Sequence, residues 1–196
     1  MRKFLFILFL LMTNIHADDA WSVFNHFKKE AMIVADFTIT NYDDKNEPYD
    51  KQVGTYYYHP QYGSKWKATD PYQQITWVNK TGVIIYDMPL NQVTEKKFTN
   101  LNFDTPAKIL SCDTSELIKD YNAFLSEDRT LTLIPKNKSN LFKKVSIHLS
   151  SKYVPLSIEI LDSINYKCKM EIKVTQQTPD KKDFDVVYPS NVEVIK

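Results

Sequence analysis

Apolar residues recur at three- and four-residue spacing in Trp21, Phe24, Phe27 and Ala31, with Ser22, Asn25, Lys28 and Lys29 between them. That is the stripe of an amphipathic helix, and Asp18 or Asp19 can cap its free N–H groups. A first helix is predicted over about residues 20–31. From Ala35 the period shortens to two. Phe37, Ile39 and, after a slip, Tyr42 alternate with polar residues; the turn-rich stretch Asp43 to Asp50 follows, and then a strand over Val53 to His59. The same reading predicts strands over Gln74–Val78, Val83–Met88, Gln92–Phe98, Thr130–Ile134, Lys144–Leu149, Leu156–Leu161 and Phe184–Tyr188. The clearest alternation sets Tyr166, Cys168, Met170, Ile172 and Val174 against Lys167, Lys169, Glu171, Lys173 and Thr175. A strand apolar on one face and charged on the other belongs to an antiparallel sheet wet on one side.

A helical stretch interrupts the strands. Thr105-Pro106 places a cap before a proline at the first helical position, leading into Ala107, Ile109 and Leu110. Asp113 with Glu116 has the spacing of a capping box ahead of Leu117, Ile118 and Tyr121. Many strands, a few short helices and no βαβ alternation predict a mainly β fold with a minor α part (α+β): a strongly bent sheet or incomplete antiparallel barrel with helices on one side. Space left between the apolar sheet face and its helical cover would suit an apolar ligand.

The N-terminus adds a compartment. Met1-Arg2-Lys3 precedes the apolar run Phe4 to Met12, and Thr13 to Ala17 follow it, the three-part order of a secretory signal peptide cleaved after Ala17. The run is shorter than the roughly 20 residues that span a bilayer. One domain over residues 18–196 is expected, exported and soluble. The formal net charge of +1 loses two positive residues with the leader, and paired lysines such as Lys96-Lys97 and Lys181-Lys182 stand among acids. A nucleic-acid partner is therefore not expected, since phosphate binding needs a concentrated basic surface.

Candidate chemistry is sparse. His26, His59 and His148 have no partner at metal-ligand spacing, and no GxSxG elbow or phosphate loop is present. No cofactor, metal or catalytic residue is expected. Cys112 and Cys168 would meet an oxidising compartment and read either as a disulfide or as two buried thiols. What remains is aromatic: GTYYYHPQYGSKW, residues 54–66, carries five rings, and alternation puts Tyr56, Tyr58 and Trp66 on one wall.

Gly54 with Tyr56 and Tyr58, Trp66, Pro71, Ile75, Tyr86-Asp87, Leu90 and Gln92-Val93 match, in order and spacing, the central pattern of a known family. Thr105-Pro106-Ala107 with Ile109-Leu110 looks like its short helix, and Phe184, Pro189, Val192, Val194 and Ile195 like its ending. On these residues the chain resembles the LolA family, periplasmic carriers of lipoproteins from the inner to the outer membrane. The resemblance implies an incomplete barrel with a lid of helices over an apolar cavity, a monomer without catalytic activity, and acylated lipoproteins as cargo. It also implies two partners, an inner-membrane ABC-type releasing complex and an outer-membrane receptor of similar fold. Tyr56, Tyr58, Trp66, Ile75 and Trp77 are expected on the barrel wall of a lipid site, facing Phe24, Phe27, Ile109 and Leu110 on the helices. The family typically keeps an Arg-Pro pair within residues 54–66, its arginine latching the lid. Here the position falls on Pro60-Gln61 or, shifted by one, on His59-Pro60, leaving His59 as the latch candidate. A carrier or sensor of glycolipid or another amphiphile on the same fold, a small scaffold, and a hydrolase of unrecognised type are the alternatives.

Overall fold

The stripe at the N-terminus forms α1 (Ala17–Glu30) in the computed structural model, which describes residues 17–79, 81–97, 109–110, 113–137 and 142–195. Asp18 and Asp19 fall inside its first turn rather than ahead of it. The capping pair Thr105-Pro106 and residues 1–16 of the leader lie outside the described residues. Ile109 and Leu110 are helical and fully buried, and α2 (Thr114–Asp120) follows, with no side-chain cap from Asp113. The expected box does not form because the Asp113 side chain makes no hydrogen bond to the turn it precedes. Among the described residues no helix is long and apolar enough to cross a membrane.

Among the described residues twelve strands build one sheet. They are β1 (Ile33–Tyr42), β2 (Pro48–His59), β3 (Gly63–Asp70), β4 (Gln74–Val78), β5 (Gly82–Asp87), β6 (Gln92–Lys97), β7 (Tyr121–Leu125), β8 (Thr130–Pro135), β9 (Phe142–Leu149), β10 (Pro155–Asp162), β11 (Lys167–Val174) and β12 (Glu193–Ile195). Their order is β12-β6-β5-β4-β3-β2-β1-β11-β10-β9-β8-β7, an open sheet with β12 and β7 at its edges. All pairs are antiparallel except β12 on β6, which is parallel. The slip read at Tyr42 is real, an irregularity in the β1–β2 register between Asn41 and Tyr42. Three of the described strands escape the periodic reading: β3, where the buried Trp66 is flanked by the small buried Ser64 and Ala68, β7, which continues directly from α2, and the short β12. The predicted strand Phe184–Tyr188 is instead a 3₁₀ turn, Lys181–Phe184, followed by irregular chain. Its backbone pairs with the sheet only further on, at β12.

Glycine is required where β2 and β3 close up. A Cβ on Gly54 would stand 2.1 Å from the Lys67 carbonyl oxygen, and Gly63 opens β3 with φ +91°. Only a residue without a side chain fits the first position and adopts the second without strain.

The two sheet faces bury different things. Phe37, Tyr56, Trp66, Leu133, Ile147, Ile158 and Met170 share one large core with Phe24, Phe27, Ile109 and Leu110. The helices therefore cover that inner face, with α1 packed on β7 and α2. On the outer face Ile75, Trp77, Tyr86 and Val93 form a second cluster, covered by Tyr188 and Val192 of the C-terminal segment.

Candidate functional site

Strand alternation decides which rings meet the helices. Tyr56 on β2 pairs with Ala35 on one side and Trp66 on the other, so Tyr56, Tyr58 and Trp66 all face inward. Tyr56 and Trp66 lie 4.2 Å apart between centroids, Phe37 meets Trp66 edge-on at 5.5 Å, and Tyr58 stacks on Phe27 of α1 at 5.3 Å and 19°. Phe24 stands 6.2 Å beyond Phe27. Helical spacing of three places both phenylalanines on the buried side of α1, while His26 between them is exposed. Ile109 and Leu110 complete the cover, so seven of the nine residues expected at the lipid site come together in one core.

Ile75 and Trp77 do not. The β3–β4 register pairs Trp66 with Thr76, which puts Ile75 and Trp77 on the opposite face. The indole Nε1 of Trp77 donates to the Asp185 carbonyl at 3.1 Å, fixing the C-terminal segment against the outside of the sheet. The expectation that both line the inner wall is corrected by that register. The residues that extend the wall are Thr76, Val78, Val83 and Ile85.

His59 is corrected as well. One position after Tyr58, alternation turns its ring outward, where it stacks on Tyr62 at 4.4 Å and meets Phe184 edge-on at 6.2 Å. Its Nδ1 accepts a hydrogen bond from the Gln61 N–H at 3.1 Å. His59 thus joins a β-turn to the C-terminal 3₁₀ turn.

A polar contact that joins wall to cover is made at Lys28, a residue that the helical pattern reads only as part of the polar side. The Tyr58 hydroxyl donates to the Lys28 carbonyl at 2.7 Å. The Lys28 Nζ donates in turn to the Leu110 carbonyl and lies 5.5 Å from the Tyr58 ring centroid and 5.8 Å from that of Phe24. One side chain therefore ties strand β2, helix α1 and the helical residues before α2. No one-sequence pattern could pick it out, because its partner is a backbone oxygen distant in the chain.

Polar tips inside the wall are unequal. Trp66 Nε1 donates to Ser64 Oγ at 3.2 Å and Tyr58 is tied to Lys28, but the Tyr56 hydroxyl is buried with no partner among the described residues. Burial holds the Tyr56 phenol well above its ordinary range, with the neighbouring Tyr58 adding to it. Tyr58 is raised chiefly by burial and then by the Asp113 carboxylate. Both stay neutral at any physiological pH.

Cys168 is a free, half-buried thiol, pushed by burial up to about 11; Cys112 lies outside the described residues. His148 is exposed on β9. Among the described residues no group of three His, Cys, Asp or Glu side chains could hold a metal ion. A cleft of about 440 Å³ between Thr81, Glu95, Lys96 and Lys97 carries no aromatic residue.

Comparison with known proteins agrees with this geometry. A family model described as "Outer membrane lipoprotein carrier protein LolA" matches residues 28–187. An outer-membrane lipoprotein carrier protein of Bordetella avium is 27% identical over 167 residues, covering 82% of this chain and 79% of its own. The carrier protein of the same description from Nitrosomonas europaea is 26% identical along the full length of both chains. Among solved structures, a conserved protein of Thermus thermophilus superposes over 90% of this chain and 98% of its own with a TM-score of 0.56 at 12% identity, a likeness of fold.

Proposed function

The chain belongs to the LolA family of outer membrane lipoprotein carrier proteins, and from that premise we propose that it is a periplasmic carrier without catalytic activity. It takes up the acyl chains of lipoproteins released at the inner membrane and hands them to an outer-membrane receptor. The observation that supports this reading is the continuous aromatic and aliphatic interior, built mostly by the sheet and closed by helical residues that include Phe24, Phe27, Ile109 and Leu110. The leader read at residues 1–17 would deliver the chain to that compartment.

Energetics set the mechanism. An acyl chain leaving water gains about 0.8 kcal/mol per CH₂, so one sixteen-carbon chain represents about 12 kcal/mol. A site that returned all of it could not release its cargo. Opening the helical cover must therefore cost something, and the Phe27–Tyr58 stack and the Lys28 ties are that cost. Loading separates α1 and the Ile109-Leu110 helix from the wall, and the closed form reforms as the cargo leaves.

The test is to purify the exported protein from its own host and identify what accompanies it. Acylated proteins are expected. Free lipid alone, or nothing, would overturn the carrier reading. In depleted cells lipoproteins should accumulate in the inner membrane, and normal sorting would count against it equally.

A further inference from the structure

Tyr56 sits at the centre of the wall, 1% exposed, with its ring 4.2 Å from Trp66 and 6.4 Å from Tyr58. Its neighbours' polar tips are used up within the protein, Trp66 on Ser64 and Tyr58 on Lys28. Its own hydroxyl has no partner among the described residues. A buried hydroxyl without a partner carries the full loss of its hydration, and replacing it with an apolar group of the same shape would remove that loss. Phenylalanine would fill the same space. A tyrosine here is thus a poorer residue for the closed, empty protein, and its hydroxyl has a use only when something else enters the interior. Among the described residues the second buried hydroxyl without a partner is Thr114 Oγ1, on α2 at the edge of the same helical cover.

The identity of that something follows from the surroundings. The phenol is neutral and can donate one hydrogen bond, so the incoming group must present an acceptor. The rings around it exclude a charged acceptor, since an unpaired carboxylate or phosphate would have to be stripped of water. The ligand must therefore be apolar apart from an uncharged oxygen. Resting on the carrier reading above, we propose that the Tyr56 hydroxyl anchors the ester or amide carbonyl at the head of a cargo acyl chain, setting how deep the chain lies along the wall.

The experiment uses the full mature chain and two ligands of equal chain length that differ in the ester group, methyl dodecanoate and tetradecane, titrated by displacement of a fluorescent apolar dye. Wild type should show the ester carbonyl stretch at lower infrared frequency when bound than in hydrocarbon solvent. Tyr56→Phe should abolish that shift, weaken methyl dodecanoate about fivefold and leave tetradecane within about twofold, while the ligand-free variant is at least as stable as wild type. Equal effects on both ligands, or an unshifted carbonyl in wild type, would overturn the assignment while leaving the carrier reading intact. A wild-type protein that binds neither ligand would overturn both. Should the variant fail to fold, the infrared band of the wild-type complex alone decides.

Discussion

Single side chains in this protein are distinguished by what their polar atoms can reach. Tyr56 and Tyr58 lie on one face of β2, yet one hydroxyl holds the cover and the other has no partner among the described residues. Their burial also sets the response to pH. Each phenol keeps its proton in the folded state beyond its ordinary value of 10.0, and Cys168 does so beyond 9.0. With the folded values raised, the stability they represent is complete below about pH 9 and is lost as the pH climbs, because only the unfolded chain ionises readily. Urea unfolding at a series of pH values should show a flat region and then a decline. Tyr56→Phe should make the decline shallower by about 1.4 kcal/mol per pH unit above roughly pH 10, and an unchanged slope would show that this phenol is not held neutral by the fold. Parity within β2 made Tyr56 and Tyr58 legible in the sequence, since one strand needs no partner to fix its two faces. His59 was misplaced for the same physical reason, as a latch role suggested by position cannot outweigh an alternation that turns the ring outward.

At the scale of elements, the cover is held by α1, and within α1 by Lys28. Replacing it with methionine keeps the aliphatic stem over Phe24 and Tyr58 and removes the charged donor to Leu110. A charge-assisted hydrogen bond of this kind stabilises by about 1.5–3 kcal/mol, so Lys28→Met should lower Tm by about 3–10 °C. Hydrogen exchange should rise in α1 and at Leu110 more than in β8 to β11, and an apolar dye should enter faster. Uniform loosening of the whole sheet would show that Lys28 supports the fold in general and not the cover. Elements with strong periods were read correctly, among them α1, β4 and β11. β3 is hidden because its inward positions are Ser64, Trp66 and Ala68, and one large apolar residue between two small ones does not make an alternating apolar signal. β7 was hidden because Leu117 and Tyr121 have helical spacing, while Tyr121 already has extended backbone at φ −128° and ψ 148°. Ile75 and Trp77 were assigned to the wrong wall because facing between two strands depends on their register, and Trp66 opposite Thr76 is a fact of pairing that neither strand carries alone.

Taken whole, the molecule is a sheet whose two faces do different work, and that division can be tested by removing one cover. The C-terminal segment crosses the outside of β3 to β5. Lys65 Nζ donates to the Asp183 carbonyl at 2.8 Å, Trp77 Nε1 to that of Asp185, Tyr188 packs 6.2 Å from Tyr86, and the Glu193 N–H reaches the Asn91 carbonyl at 3.1 Å before β12 joins β6. None of these contacts reaches the inner face. Ending the chain after Pro179 should therefore bare Trp77 and Tyr86, shift tryptophan emission to the red and cost about 3 kcal/mol in urea unfolding. It should also favour association through the exposed patch and the freed β6 edge. Affinity for an acyl ester, measured on the monomeric fraction, should stay within about twofold of the full chain, because Tyr56, Tyr58, Trp66, Phe24 and Phe27 keep every contact named above. A large loss of acyl binding in a truncated chain that keeps its sheet signature would mean that the outer cluster belongs to the cargo site after all. Retained binding alongside lowered stability is the outcome that follows from a register in which Trp66 and Trp77, though on adjacent strands, point to opposite sides.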